Sequence, residues 1–92
     1  MRFKIFGKKN CAKCESTKKK LEFFLNKWKL EEANLTFFDM DTIDGLSESA
    51  LHDVLKIPTT VLEINGEVKA RWEGEIPKSE EIKSHLEEVA AS

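Results

Sequence analysis

The apolar positions change period several times along the chain, and each change marks an element. Arg2-Phe3-Lys4-Ile5-Phe6 alternates apolar and basic residues as a strand does, with Phe3 and Ile5 on one face. Gly7-Lys8-Lys9-Asn10 then reads as a loop, and Asn10 as the cap of the next helix. From Cys11 or Ala12 to Lys29 the apolar residues return at helical spacing. Cys14, Leu21, Phe24, Leu25 and Trp28 fall close to one stripe, which reads as core. Leu35-Thr36-Phe37-Phe38-Asp39-Met40 is a second strand, apolar enough to be covered on both faces as in a parallel sheet. Strand, helix and strand in sequence predict a βαβ unit with a right-handed crossover.

The second half reads as a different arrangement. Asp41 to Gly45 is a loop of turn residues, and Ser47 caps a short helix that turns Leu51, Val54 and Leu55 inward. His52 on that helix reads as a surface or internally satisfied residue. Ile57-Pro58-Thr59 leads into a third strand, Thr60 to Ile64, with the proline where a missing N–H does least harm. Asn65-Gly66 predicts a two-residue type I′ turn into an antiparallel fourth strand, Glu67 to Trp72, ended by Gly74. A last helix comes after it, with Ser79 as cap, Glu80 and Glu81 in its first turn, and Ile82, Leu86 and Val89 inward. The order β-α-β-α-β-β-α predicts an α/β fold, a four-stranded mixed sheet flanked by helices on both faces. Residues 1–92 are expected to form one domain, large enough for a modest core without staples.

Charge changes the picture in one respect. The net charge of −2 hides an asymmetry: residues 1–30 hold ten Lys/Arg against two Glu, and residues 31–92 hold five against fifteen Asp/Glu. A basic third can signal nucleic acid, more so where aromatics interleave with the lysines. Here the aromatics sit at core spacing, so no nucleic-acid partner is expected, and Lys18-Lys19-Lys20 reads as a solvated surface. No signal peptide or long apolar run appears, so the expectation is a soluble, cytoplasmic protein with no membrane partner.

The chemistry concentrates in Cys11-Ala12-Lys13-Cys14, which holds both cysteines. As a staple the pair is weak: in the loop-entropy model a four-residue loop contributes roughly 2 kcal/mol, against about 3 for fifteen residues. As a reactive dithiol it is well placed. It lies where a strand ends and a helix begins, and a helix N-terminus offers unpaired N–H groups and partial positive charge to a thiolate. Lys8, Lys9 and Lys13 push the same way. The apolar stripe shelters Cys14, whereas Cys11, at the start of the helix, stays exposed, the arrangement a nucleophile and its resolving partner require. A second class of function remains open, a metal or iron–sulfur module built on the same pair. Structural zinc takes four ligands, and His52 and His85 lie far apart in sequence, so such a cluster would be shared between two chains through Cys11. Met40 and Trp72 read as packing residues.

The element order, Cys11-Ala12-Lys13-Cys14 after the first strand, and Ile57-Pro58-Thr59 before the third together resemble the thioredoxin superfamily. The size is that of a glutaredoxin or a minimal thioredoxin. The resemblance implies a thiol–disulfide oxidoreductase with Cys11 attacking and Cys14 resolving. It implies a cis bond before Pro58, with the proline beside the dithiol, and a substrate-binding segment of Ile57, Pro58 and Thr59 in which the Ile57 backbone pairs with substrate. Lys8 matches a lysine that many glutaredoxins carry three residues before the first cysteine, and so joins the substrate-binding set. The implied partners are a protein or small-molecule disulfide and a separate reductase, and the chain is expected to act as a monomer. The sequence departs from the family in its motif, which has neither the Trp-Cys-Gly-Pro-Cys of thioredoxins nor the Cys-Pro-Tyr-Cys of glutaredoxins. Ile5 stands where thioredoxins place a buried acid. Glu73-Gly74-Glu75 matches only part of the Gly-Gly-acid motif of glutathione-binding glutaredoxins. No cofactor beyond the dithiol itself is therefore expected, with glutathione and a thioredoxin reductase-type enzyme as alternative electron sources.

Overall fold

A computed structural model describes residues 1–29 and 33–91. The elements are β1 (Arg2–Gly7), α1 (Ala12–Trp28), β2 (Asn34–Asp39), α2 (Ile43–Leu51), β3 (Thr59–Ile64), β4 (Glu67–Glu73) and α3 (Ser79–Ala91). The strands form one sheet in the order β2-β1-β3-β4. β1 pairs parallel with β2, from Arg2↔Asn34 to Gly7↔Asp39, and antiparallel with β3, from Arg2↔Glu63 to Phe6↔Thr59. The βαβ unit places β1 in the interior of the sheet, and the hairpin adds β4 at the edge. Asn65 and Gly66 both have positive φ, 53° and 80°, as a two-residue type I′ turn requires.

One face of the sheet carries the main core. Phe3 and Ile5 of β1 and Leu62 of β3 pack with Leu21 and Phe24 of α1, Trp72 of β4, and Ile82 and Leu86 of α3. The helical stripe and the strand alternation meet there, so burial of these side chains holds α1 and α3 to the sheet. Trp72 satisfies its ring N–H by donating from Nε1 to Glu81 Oε2 at 2.6 Å, and His85 stands edge-on to its ring at 5.9 Å.

The opposite face holds a group that strand alternation alone does not reveal. Lys4 lies in the central strand between Phe3 and Ile5, and its side chain is only 9% exposed. Its Nζ donates to Glu48 Oε2 at 2.7 Å, lies 3.1 Å from Glu63 Oε1 and 3.2 Å from His52 Nε2. Burial pulls the ammonium pKa down, but hydrogen bonds and charge from Glu48 and Glu63 outweigh that and hold it above the ordinary lysine value. The same bond from Lys4 holds the Glu48 carboxyl below its ordinary value. Phe6 stacks on Phe38 beside the group and contacts the His52 ring.

Several boundaries differ from the sequence expectation. β2 starts and ends one residue earlier and sits at the edge of the sheet, half-buried instead of covered on both faces. α2 begins at Ile43 with Thr42 as its cap, the Thr42 hydroxyl accepting from the Gly45 N–H at 3.0 Å, so Ser47 lies inside the helix. Leu51 and Leu55 do not turn inward: they are 76% and 90% exposed, and Val54 falls beyond the helix. The buried face of α2 is Gly45 and Ser49. A Cβ at Gly45 would fall on the Asp39 carbonyl oxygen, so the helix seats itself by backbone approach and the bulky residues are turned away. His52 closes α2, and Asp53 after it has a left-handed φ of 51°, which ends the helix before Val54. Ser79 is the first residue within α3, and the Lys78 carbonyl accepts its first bonds.

Candidate functional site

Cys11, not Asn10, caps α1. Its backbone is extended (φ −112°, ψ 113°), and its Sγ accepts from the Cys14 N–H at 3.2 Å. The first cysteine thus occupies the place usually taken by a serine or aspartate oxygen, because its own sulfur is the acceptor the open helix end needs. The Glu15 N–H bonds back to the Cys11 carbonyl at 3.1 Å, which starts the helix. The sulfurs of Cys11 and Cys14 lie at disulfide distance, with their Cα atoms 5.2 Å apart. Cys14 is fully buried, and Cys11 is half-buried.

Gly7, which by sequence belongs to the loop after the first strand, is the residue that lets the pair fit. A Cβ there would come within 2.6 Å of Cys14 Sγ, 2.9 Å of its Cβ and 3.3 Å of Phe37 Cζ. The end of β1 therefore presses its bare backbone against the inner cysteine. A glycine at the end of a strand was the available signal, since such a glycine often marks close approach. Thr17, one turn into α1 and fully buried, returns its hydroxyl to the Lys13 carbonyl at 2.8 Å, so the helix face behind Cys14 is satisfied internally.

The second predicted group lies at the same end of the sheet. The Ile57–Pro58 bond is cis, and Pro58 is fully buried just before β3. Because β3 runs antiparallel to β1, with Thr59 opposite Phe6, the start of β3 and the end of β1 share an edge of the fold. The Thr59 hydroxyl donates to the Lys56 carbonyl at 2.6 Å. Thr59 also pairs with Glu73, and the Gly74 N–H donates to the Pro58 carbonyl at 2.8 Å. Pairing of β3 with β4 thus joins Ile57-Pro58-Thr59 to Glu73-Gly74-Glu75. Ile57 is half-buried.

The lysines divide. Lys8 lies 3.7 Å from Asp41 across an exposed pair, which offsets part of its charge. Lys9 and Lys13 are exposed and make no ion pair among the described residues. Lys8, Lys9 and Lys18, with Glu15, Phe37 and Asp39, line a hollow of about 240 Å³ beside the cysteines. No group of three or more His, Cys, Asp or Glu side chains is placed to hold a metal among the described residues. No helix among them is long and apolar enough to cross a membrane.

Comparison with known proteins adds a family and a fold. A family model described as Thioredoxin domain matches residues 1–87. None of the curated proteins matches the chain. Among solved structures, thioredoxin 1 from the thermophilic eubacterium Thermosipho africanus superposes with a TM-score of 0.78 at 18% identity, covering 100% of both chains. Thioredoxin O2 from Arabidopsis thaliana, solved in its oxidized state, gives 0.76 at 19% identity over 96% of this chain and 73% of its own. Thioredoxin-2 of the malaria parasite gives 0.78 at 18% identity, over 95% and 81%. At such identities the likeness is one of fold, and it agrees with the sheet order and helix placement described above.

Proposed function

The chain belongs to the thioredoxin domain family, and we propose on that footing that it is a dithiol–disulfide oxidoreductase in which Cys11 attacks and Cys14 resolves. The fold and the cysteine pair at disulfide distance support a thiol–disulfide redox role in general. The assignment of the two sulfurs rests on a single observation: Cys11 Sγ is the acceptor at the open N-terminus of α1. In the reduced protein the same N–H and the partial positive charge of the helix end stabilise Cys11 as a thiolate. Lys9 and Lys13, unpaired among the described residues, add to that field. An unperturbed thiol near 8.5 is about 3% thiolate at pH 7, and one near 7 about half, so modest stabilisation multiplies the reactive fraction.

The reaction then balances without a further cofactor. The Cys11 thiolate attacks one sulfur of a substrate disulfide, forming a mixed disulfide as the substrate S–S bond breaks, and the departing sulfur takes a proton. Cys14 gives up its proton and attacks Cys11 Sγ, which closes the Cys11–Cys14 bond and frees the second substrate thiol. Two electrons pass to the substrate, and a separate reductase, or glutathione, must return them. Ile57, at the same end of the sheet, offers its backbone for substrate pairing, with Pro58 and Thr59 holding it there through their bonds to β4 and β1, and Lys8 completes the substrate-binding set.

Replacement separates the roles. Cys14→Ser is expected to attack disulfides and stall as a mixed disulfide through Cys11, whereas Cys11→Ser is expected to be inert, because Cys14 is buried. Alkylation of the reduced protein across pH, with mass spectrometry locating the label, reads the order directly. Labelling of Cys14 first, or titration of Cys11 no lower than a free cysteine, would overturn the assignment.

A further inference from the structure

The hollow beside the cysteines joins cationic rims to an apolar floor. Its floor is Phe37, whose Cζ and the Cys14 sulfur both lie against Gly7. Lys18 Nζ stands 5.7 Å from the Phe37 ring centroid, so the aromatic face and the ammonium are parts of one surface. Of the two acids in the lining, Glu15 faces Lys19, outside the hollow, at 4.0 Å, and Asp39 keeps its charge while its Oδ1 accepts from the Asp41 N–H at 2.9 Å. Lys9 and Lys18 meet no carboxylate among the described residues. The lining itself holds Lys8, Lys9 and Lys18 against Glu15 and Asp39, and with Lys8 paired to Asp41 the positive charge left over at the hollow is that of Lys9 and Lys18.

Resting on the oxidoreductase reading above, we propose that this hollow receives an acidic, Asp- or Glu-bearing segment of a substrate protein, next to the disulfide that Cys11 attacks. A carboxylate reaches Lys9 and Lys18 while an apolar side chain covers Phe37. The hollow lies on the β2 side of the dithiol, whereas the Ile57-Pro58-Thr59 segment lies on the β3 side. The substrate is thus held from two sides of the reacting sulfur, by backbone on one and by charge on the other. Long-range attraction to the same patch speeds encounter.

The test uses the reduced 92-residue chain and three peptides sharing one disulfide, with flanking glutamates, serines or lysines. The acidic peptide is expected to be reduced about tenfold faster than the serine peptide at low salt, and the ratio is expected to fall toward one between about 20 and about 300 mM NaCl. Lys18→Gln should lower the acidic-to-serine ratio, and Lys18→Glu should lower it further, by at least about threefold. Equal rates on the three peptides would overturn the proposal, as would a parallel loss on all peptides in Lys18→Glu with the ratio kept. Self-association through the hollow, seen as a dimer by sedimentation and abolished by Lys18→Glu, would also overturn it, because the occupant would then be a second copy of the chain. A neutral small disulfide, hydroxyethyl disulfide, distinguishes the two layers. If it is not reduced, the oxidoreductase reading fails; if it is reduced while the peptides do not differ, only the docking proposal fails.

Discussion

Replacing Lys4 with Met removes the ammonium from the group beneath α2 and leaves its apolar stem in place. Glu48 and Glu63 then face each other without the ammonium between them; His52 Nε2 lies 3.7 and 3.8 Å from them, and Arg2 acts on Glu48 only from beyond ion-pair distance. Breaking a buried ion pair on one side costs about 3–5 kcal/mol, because the remaining charge is left uncompensated. The two glutamate side chains keep 24% and 18% exposure, so water recovers part of that, and a loss of about 3 kcal/mol is expected. In a domain of this size that lowers Tm by about 12–24 °C, a large share of a total stability of about 5–15 kcal/mol. Urea unfolding followed by circular dichroism measures it. The pH dependence carries the sign. Glu48 has a lowered folded pKa, so its contribution is present above its unfolded value and is lost as pH falls through the folded one. Lys4, with a raised pKa, contributes fully below its unfolded value and loses that only as pH rises through the folded one. The gap between wild type and Lys4→Met should therefore be widest near neutrality and narrow below about pH 4, where carboxylates protonate. Adding Glu48→Gln and Glu63→Gln to Lys4→Met should recover part of the loss. A loss under about 1 kcal/mol, or one that does not change with pH, would refute the electrostatic account.

Two glycine substitutions test the backbone contacts that seat the site. Gly45→Ala lies in a helix, where propensity alone predicts a gain of about 1 kcal/mol; the Asp39 carbonyl in its path reverses the sign, and a loss of about 1–3 kcal/mol is expected in thermal unfolding. Gly7→Ala should cost about 1–3 kcal/mol in urea unfolding, because Cys14 and Phe37 must both give way; unchanged stability would mean that β1 does not press on the dithiol. Trp72→Phe removes the hydrogen bond to Glu81 and should cost about 1–2 kcal/mol, a loss that Glu81→Gln should largely spare if the carbonyl oxygen of the new side chain accepts in its place.

The chain's local patterns determined the order of its elements, the cysteine pair at the start of α1 and the hairpin at Asn65-Gly66. Strand alternation, helical spacing and turn chemistry act over a few residues, so they can be read before the fold is known. The motif pair Cys11-Ala12-Lys13-Cys14 and Ile57-Pro58-Thr59 pointed to the thioredoxin family for the same reason. What the tertiary structure decided depends on neighbours distant in sequence. Lys4 is buried because β1 runs between β2 and β3, where both faces of a strand are covered; Glu48, His52 and Glu63 come from two other elements to meet it. Leu51 and Leu55 point outward, against their hydropathy, because α2 approaches the end of β2 through Gly45 more closely than a leucine face would allow. Gly7 matters for the same kind of reason: only packing of α1 on β1 brings Cys14 to its Cα. Cys11 as cap and Thr42 in place of Ser47 belong between the two, since several side chains near each helix start were chemically able to cap. The backbone path entering the helix chose among them, and that path is set by where the preceding strand ends.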